Sequence, residues 1–149
     1  MNKICKTQTV YYFKNTCLKC FNDIEFPLLG DFSYGEVIFQ TKDAKEFYIA
    51  VLIDNKTFDY IKEALQQNKD FQNTKADPQK ILALIADKID NNDFTADYPI
   101  CPICKARQHN YGDNIRTTKT ELGFATWTEF ESLSQEKKLI RLREVIDRL

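Results

Sequence analysis

The sequence predicts an α+β fold: a small antiparallel sheet, about three helices and a four-cysteine site closed across a long insertion. Three observations carry this. Runs of β-branched and aromatic residues lie at Thr9 to Phe13 and Glu46 to Ile53; apolar stripes of helical period follow Asp77-Pro78 and Ser134; and two Cys-x-x-Cys pairs stand far apart, at Cys17/Cys20 and Cys101/Cys104. A chain of 149 residues, 43% hydrophobic, fits a single domain over 1–149 and can bury a real core. Four Gly, four Pro and 13% aromatic residues exclude collagen-like, linker-like and disordered classes.

Taken in order, Thr9 to Phe13 reads as a strand leading to the first cysteine pair, and Phe21 to Phe26 as a short return strand or irregular segment before Pro27. Strands are predicted near 37–41 and 46–53, joined by a turn at Lys42-Asp43-Ala44-Lys45. The second, Phe-Tyr-Ile-Ala-Val-Leu-Ile, is apolar at every position and should be covered on both faces. Phe58, Ile61 and Leu65 predict a helix over 57–67. Asp77 as N-cap and Pro78 at the first helical position predict a second over 78–91, with Ile81, Leu82, Ile85 and Ile89 on one face. A polar stretch from Lys105 to Lys119 precedes a strand at 122–127, and Ser134 caps a last helix near 135–148 with Leu139, Leu142, Ile146 and Leu149 as its seam.

The chain carries 21 basic and 22 acidic residues, a net charge of −1 that excludes a globally basic nucleic-acid binder. Residues 1–30, 31–100 and 101–149 sum to +2, −5 and +2, so an acidic middle separates two weakly basic ends. The longest apolar run, Phe47 to Ile53, is too short to span a membrane, and the first residues lack a signal-peptide core. The expectation is a cytoplasmic protein, where paired cysteines serve metal binding or redox chemistry more often than structural disulfides.

Two residues between thiols let one tight turn aim both sulfurs at one ion, and two such turns complete a tetrahedral shell. The zinc half-knuckles are expected near 11–24 and 98–108, an αβ insertion over 28–97, and a C-terminal strand and helix over 122–149. Eighty residues separate Cys20 from Cys101, but closure entropy grows only logarithmically, about 0.6 kcal/mol per doubling, and a folded insertion brings its own ends together. On Cys17, Cys20, Cys101 and Cys104 the chain resembles the broad zinc-ribbon group, whose two β-turn knuckles face each other across one ion. The resemblance implies a structural Zn2+ held by those four residues. It departs at one point: a ribbon knuckle is commonly followed by Gly, where this chain has Phe21 and Lys105, so an altered knuckle backbone is expected around unchanged ligands. Thiol oxidoreductase chemistry is the competing reading, but it needs a thiol at a helix N-terminus, and neither pair opens a helical pattern. Cys5 is the thiol left over.

Among other candidates, His109 is the single histidine and sits in a polar, turn-like segment. The four glycines are scattered, so no phosphate-cradling loop is present. Lys105, Arg107, Arg116 and Lys119, with Tyr111, Phe124 and Trp127 nearby in sequence, could contact a nucleic acid or a partner. Asp87 to Asp97 holds four Asp and one Lys and could meet a basic partner, as an inhibitor or immunity protein does. A four-thiolate shell leaves no coordination position for water or substrate. The sequence therefore points to a non-enzymatic zinc-stabilised protein recognising a protein partner, with nucleic-acid binding second and thiol redox third.

Overall fold

The computed structural model describes residues 7–29, 35–71, 74–95, 97–108 and 115–149, with backbone alone at 115–118. The elements run β1 (Thr7–Thr16), β2 (Asp23–Leu28), β3 (Glu36–Gln40), β4 (Phe47–Val51), α1 (Lys56–Gln67), a 3-10 turn (Lys69–Phe71), α2 (Pro78–Ile85), β5 (Ile115–Gly123), α3 (Thr128–Glu131) and α4 (Gln135–Asp147). The architecture is α+β with antiparallel ladders. β1 lies at the centre of a three-stranded sheet in the order β2-β1-β5, and β3 pairs only with β4.

The β3–β4 pair is the wall between two hydrophobic cores. Strand alternation sends Ile38, Phe47 and Ile49 to one side, against Val10, Ile24, Phe26 and Leu122 of the three-stranded sheet and against Cys17 and Cys101. It sends Phe39 and Ala50 to the other, against Ile61, Ile81, Leu82, Leu142 and Val145 of the helices. Ile49 and Ala50 are both fully buried, so the all-apolar strand is covered on two faces as its composition predicted. β4 meets the far end of β5 through a single parallel bridge, Ile49 to Phe124, and a bond from the Ala125 amide to the Ile49 carbonyl at 2.8 Å.

The helix starts follow their caps. The Asn55, Asp77 and Ser134 side chains accept the amides of Phe58, Gln79 and Lys137 at 3.0, 2.9 and 3.3 Å. Two boundaries and the buried face of one helix differ most from expectation. α2 stops at Ile85 instead of running to 91, because Asp87 turns away to accept the Thr128 and Glu129 amides at 2.8 and 3.0 Å and thereby caps α3. The last strand is β5 at Ile115–Gly123 instead of 122–127; it is an edge strand, so little apolar periodicity marks it. The buried face of α4 centres on Leu142 and Val145, with Leu139 and Ile146 packed partly beside them and Leu149 half exposed. Among the described residues no helix is long and apolar enough to cross a membrane.

Candidate metal centre

Each cysteine pair sits on a knuckle, and the two knuckles have the same backbone. In the first, the Cys17 amide donates to the Asn22 carbonyl at 3.0 Å and the Phe21 amide to the Cys17 carbonyl at 2.9 Å. In the second, the Cys101 amide donates to the Ala106 carbonyl at 2.8 Å and the Lys105 amide to the Cys101 carbonyl at 2.9 Å. Both turns need a left-handed residue after the second cysteine. Phe21 and Lys105 supply it, at φ 62° and 63°. Where the missing glycines put the knuckle backbone in question, Phe21 and Lys105 take the left-handed conformation themselves, with a strain of about 1–2 kcal/mol each.

The four Sγ atoms all lie within 4.8 Å of one another. Across the knuckles, the sulfurs of Cys17 and Cys104 stand 3.6 Å apart and those of Cys20 and Cys101 3.7 Å. A tetrahedron with metal–sulfur bonds of about 2.3 Å has edges of about 3.8 Å. A disulfide needs about 2.05 Å, and all four thiols are free. The cluster could hold a metal ion. The electrostatics point the same way. The Cys20 amide is the largest influence holding the Cys17 thiol down to about 6; burial opposes it, while the Lys19 amide and the Gln108 side chain add to it. At Cys104 the Ala106 amide favours the thiolate, yet burial and the three neighbouring cysteines push it up to about 11. Like charges this close do not all ionise together unless a cation stands among them.

Polar contacts around the sulfurs are specific. The Ile103 amide reaches the Cys101 sulfur at 3.4 Å, and the buried Gln108 amide donates to the Cys17 sulfur at 3.4 Å while holding the Ala106 carbonyl at 2.9 Å. The second knuckle is tied to the rest of the chain through Gln40, which is fully buried. Its Oε1 accepts the Ile100 amide at 2.9 Å, and its Nε2 donates to the Ile100 carbonyl at 3.0 Å and the Ala44 carbonyl at 3.3 Å. One side chain thus takes the place of a strand neighbour for the residue just before Cys101. The Tyr98 hydroxyl adds a bond to the Pro27 carbonyl at 2.8 Å. Sequence reading passed over Gln40, Gln108 and Tyr98. The one available signal was a lone Gln at the inward-facing end of an apolar strand.

The basic candidates do not converge. Lys105 reaches back to the Asp43 carbonyl and to that of Pro102, and Arg107 pairs with Asp97 at 3.6 Å. Lys119 lies exposed on β5 opposite Tyr11. Trp127 is a core residue: it is 7% exposed, and its Nε1–H donates to the Leu82 carbonyl at 2.9 Å, so its ring offers no open face to a base. The side chain of Arg116, together with Cys5, His109 and Tyr111, lies outside the described residues. The acidic run is largely spoken for inside the molecule. Asp87 caps α3, Asp93 faces Lys88 at 3.8 Å, and Asp97 bridges Lys80 at 3.3 Å as well as Arg107.

The site and fold together define an α+β chain with a four-cysteine cluster competent for a metal ion. Compared with protein-family models, with curated proteins and with solved structures, the chain matches none of them.

Proposed function

We propose that the protein is a zinc-clamped, non-enzymatic binding protein that recognises a protein partner, of inhibitor, immunity or adaptor type, through the end of the molecule where the knuckles meet. The observation that carries this is the combination of four sulfurs within 4.8 Å of one another with apolar knuckle tips. Leu18, Phe21 and Ile103 are 75%, 77% and 58% exposed, although each sits within one or two residues of a ligand. Solvent-facing apolar groups on a rigid turn suit a protein interface, whose centre is apolar and poor in charge. Zinc is the metal that suits four thiolates at this spacing, and with four protein ligands it acts as a clamp and leaves no position for a substrate. Nucleic-acid binding draws less support, since Lys105, Arg107 and Trp127 are engaged internally. Thiol redox chemistry also draws less, since the sulfurs of both motifs gather into one cluster and neither motif stands at the start of a helix.

Elemental analysis of the full chain should find one zinc per molecule. In cross-linking with whole-cell partners, contacts should map to residues 18–21 and 102–104. The double variant Leu18→Ser, Ile103→Ser should keep its zinc and lose them. Full retention of those cross-links in the double variant sinks the interface, and a chain that binds no zinc sinks the clamp.

A further inference from the structure

A second feature lies on the face formed by α2, the end of α4 and the segment after Thr41. A cavity of about 930 Å³ there is bordered by Lys42, Lys75, Lys80 and Arg148, with Leu84 and Ile146 among its apolar walls. A neighbouring cavity of about 360 Å³ is lined instead by Leu28, Val37, Phe39 and Ala83, with Arg107 and Tyr98 at its side. Asp77, Lys80 and Thr95 border both, so the two are chambers of one groove, one basic and one apolar.

The charges of this groove are unevenly satisfied. Its side-chain carboxylates are Asp77, Asp93 and Asp97, and each is already engaged. Asp77 accepts the Gln79 amide as a helix cap at 2.9 Å, Asp93 faces Lys88 at 3.8 Å, and Asp97 is shared by Lys80 at 3.3 Å and Arg107 at 3.6 Å. Lys42, Lys75 and Arg148 have no ion-pair partner among the described residues. A concave site bordered by several charges beside an apolar lining has the general form of a small-molecule site. The charged side chains left without a partner among the described residues are all cationic. Two ammonium groups and a guanidinium suit a multiply charged oxyanion, for which Arg offers a two-pronged contact and Lys a point charge.

We propose that this groove binds a small organic phosphate of nucleotide size, its phosphates among Lys42, Lys75 and Arg148 and its uncharged body in the apolar chamber beyond Lys80. The groove holds none of the four cysteines, but Tyr98 and Arg107 at its side flank the second knuckle, so the test is made on the zinc-loaded chain. Isothermal titration of the zinc-loaded full chain with ATP, with tripolyphosphate and with inorganic phosphate tests it. Zinc content is measured before and after, so that metal chelation by the phosphates is not read as binding. The expected result is saturable binding of ATP with a Kd below about 1 mM, tighter than that of tripolyphosphate and weakening as salt is raised. The Lys42→Ala, Arg148→Ala double variant should bind at least about tenfold more weakly with its thermal midpoint unchanged, and Lys62→Ala, on α1 beside Asp59, should bind as the parent does. Absence of saturable binding by any of the three probes, or equal binding by the double variant, overturns the site. Equal affinity for ATP and tripolyphosphate overturns the role given to the apolar chamber.

Discussion

The two knuckles have matching backbones and unequal foundations. The first is the turn of a continuous hairpin: Thr16 faces Asp23 and the pairing runs on to Tyr11 and Leu28, so the strands that carry Cys17 and Cys20 hold the turn themselves. The second is flanked by one isolated bridge, Ile100 to Arg107, and is held in place from elsewhere by the Gln40 amide, the Tyr98 hydroxyl and the reach of Lys105 to Asp43. Identical turns can thus be built by local pairing or by borrowed contacts. The borrowed kind makes half of the metal centre depend on β3 and on the connection after it.

The comparison can be broken most forcefully at the metal. Cys101→Ser should abolish stoichiometric zinc binding and lower the thermal midpoint by on the order of 10 °C or more, because ligand binding to such a site is coupled to folding. A variant that melts with the parent and keeps its zinc would remove the clamp from consideration. Next in size is Gln40→Leu. It strands the Ile100 amide and carbonyl in a buried setting and should cost about 2–4 kcal/mol by urea denaturation. Thr16→Val, which removes an exposed hydroxyl bond to Asp23 beside the first knuckle, should cost less than about 0.5 kcal/mol. Equal losses at the two positions would contradict the asymmetry.

Acid titration separates the knuckles from the helical side. Burial works against the Asp87 carboxylate, but the Thr126 hydroxyl and the amides of Glu129 and Thr128 outweigh it and hold its pKa below the ordinary value of 3.8. A carboxyl lowered on folding stabilises fully above its unfolded value, and that contribution is lost as pH falls through the folded one. Asp87→Asn should therefore cost about 1 kcal/mol near neutrality and flatten stability against pH below about 4, with zinc content at neutral pH unchanged. An unaltered acid limb would show that Asp87 does not contribute it. One expected effect is a gain. Phe21→Gly relieves a left-handed side chain and should stabilise by about 0.5–1 kcal/mol in chemical denaturation, whereas Lys105→Gly should gain less, since it also gives up the bond to Asp43. A loss at Phe21 would mean that its ring is held by contacts stronger than the strain.

The four-cysteine cluster was legible because doubled Cys-x-x-Cys is a local pattern whose geometry survives any spacing between its halves. The capped starts of α2 and α4 were legible for the same reason, as was the double coverage of β4. What was hidden depended on distant partners. Asp87 reads as the continuation of a helix until α3 is there to be capped, and Gln40 reads as an ordinary polar strand end until Ile100 lies beside it. Among the described residues β5 is an edge strand paired along its length with β1, and it carries Thr, Lys and Glu, so it lacks the alternation that marks a half-buried strand. The insertion turned out to be more than cargo between two halves of a metal site, because β3 and β4 share a core with Cys17 and Cys101.

The buried amide of Gln40 also sets an order of events. A hairpin closes over short sequence distance, so Cys17 and Cys20 can face solvent as a two-thiol chelate early in folding, while Cys101 and Cys104 wait until a contact spanning sixty residues has formed. An ion arriving during folding would meet two ligands first and four only afterwards. The rate of metal capture should then follow the formation of the β3–β4 wall, not the collision of ion with thiol.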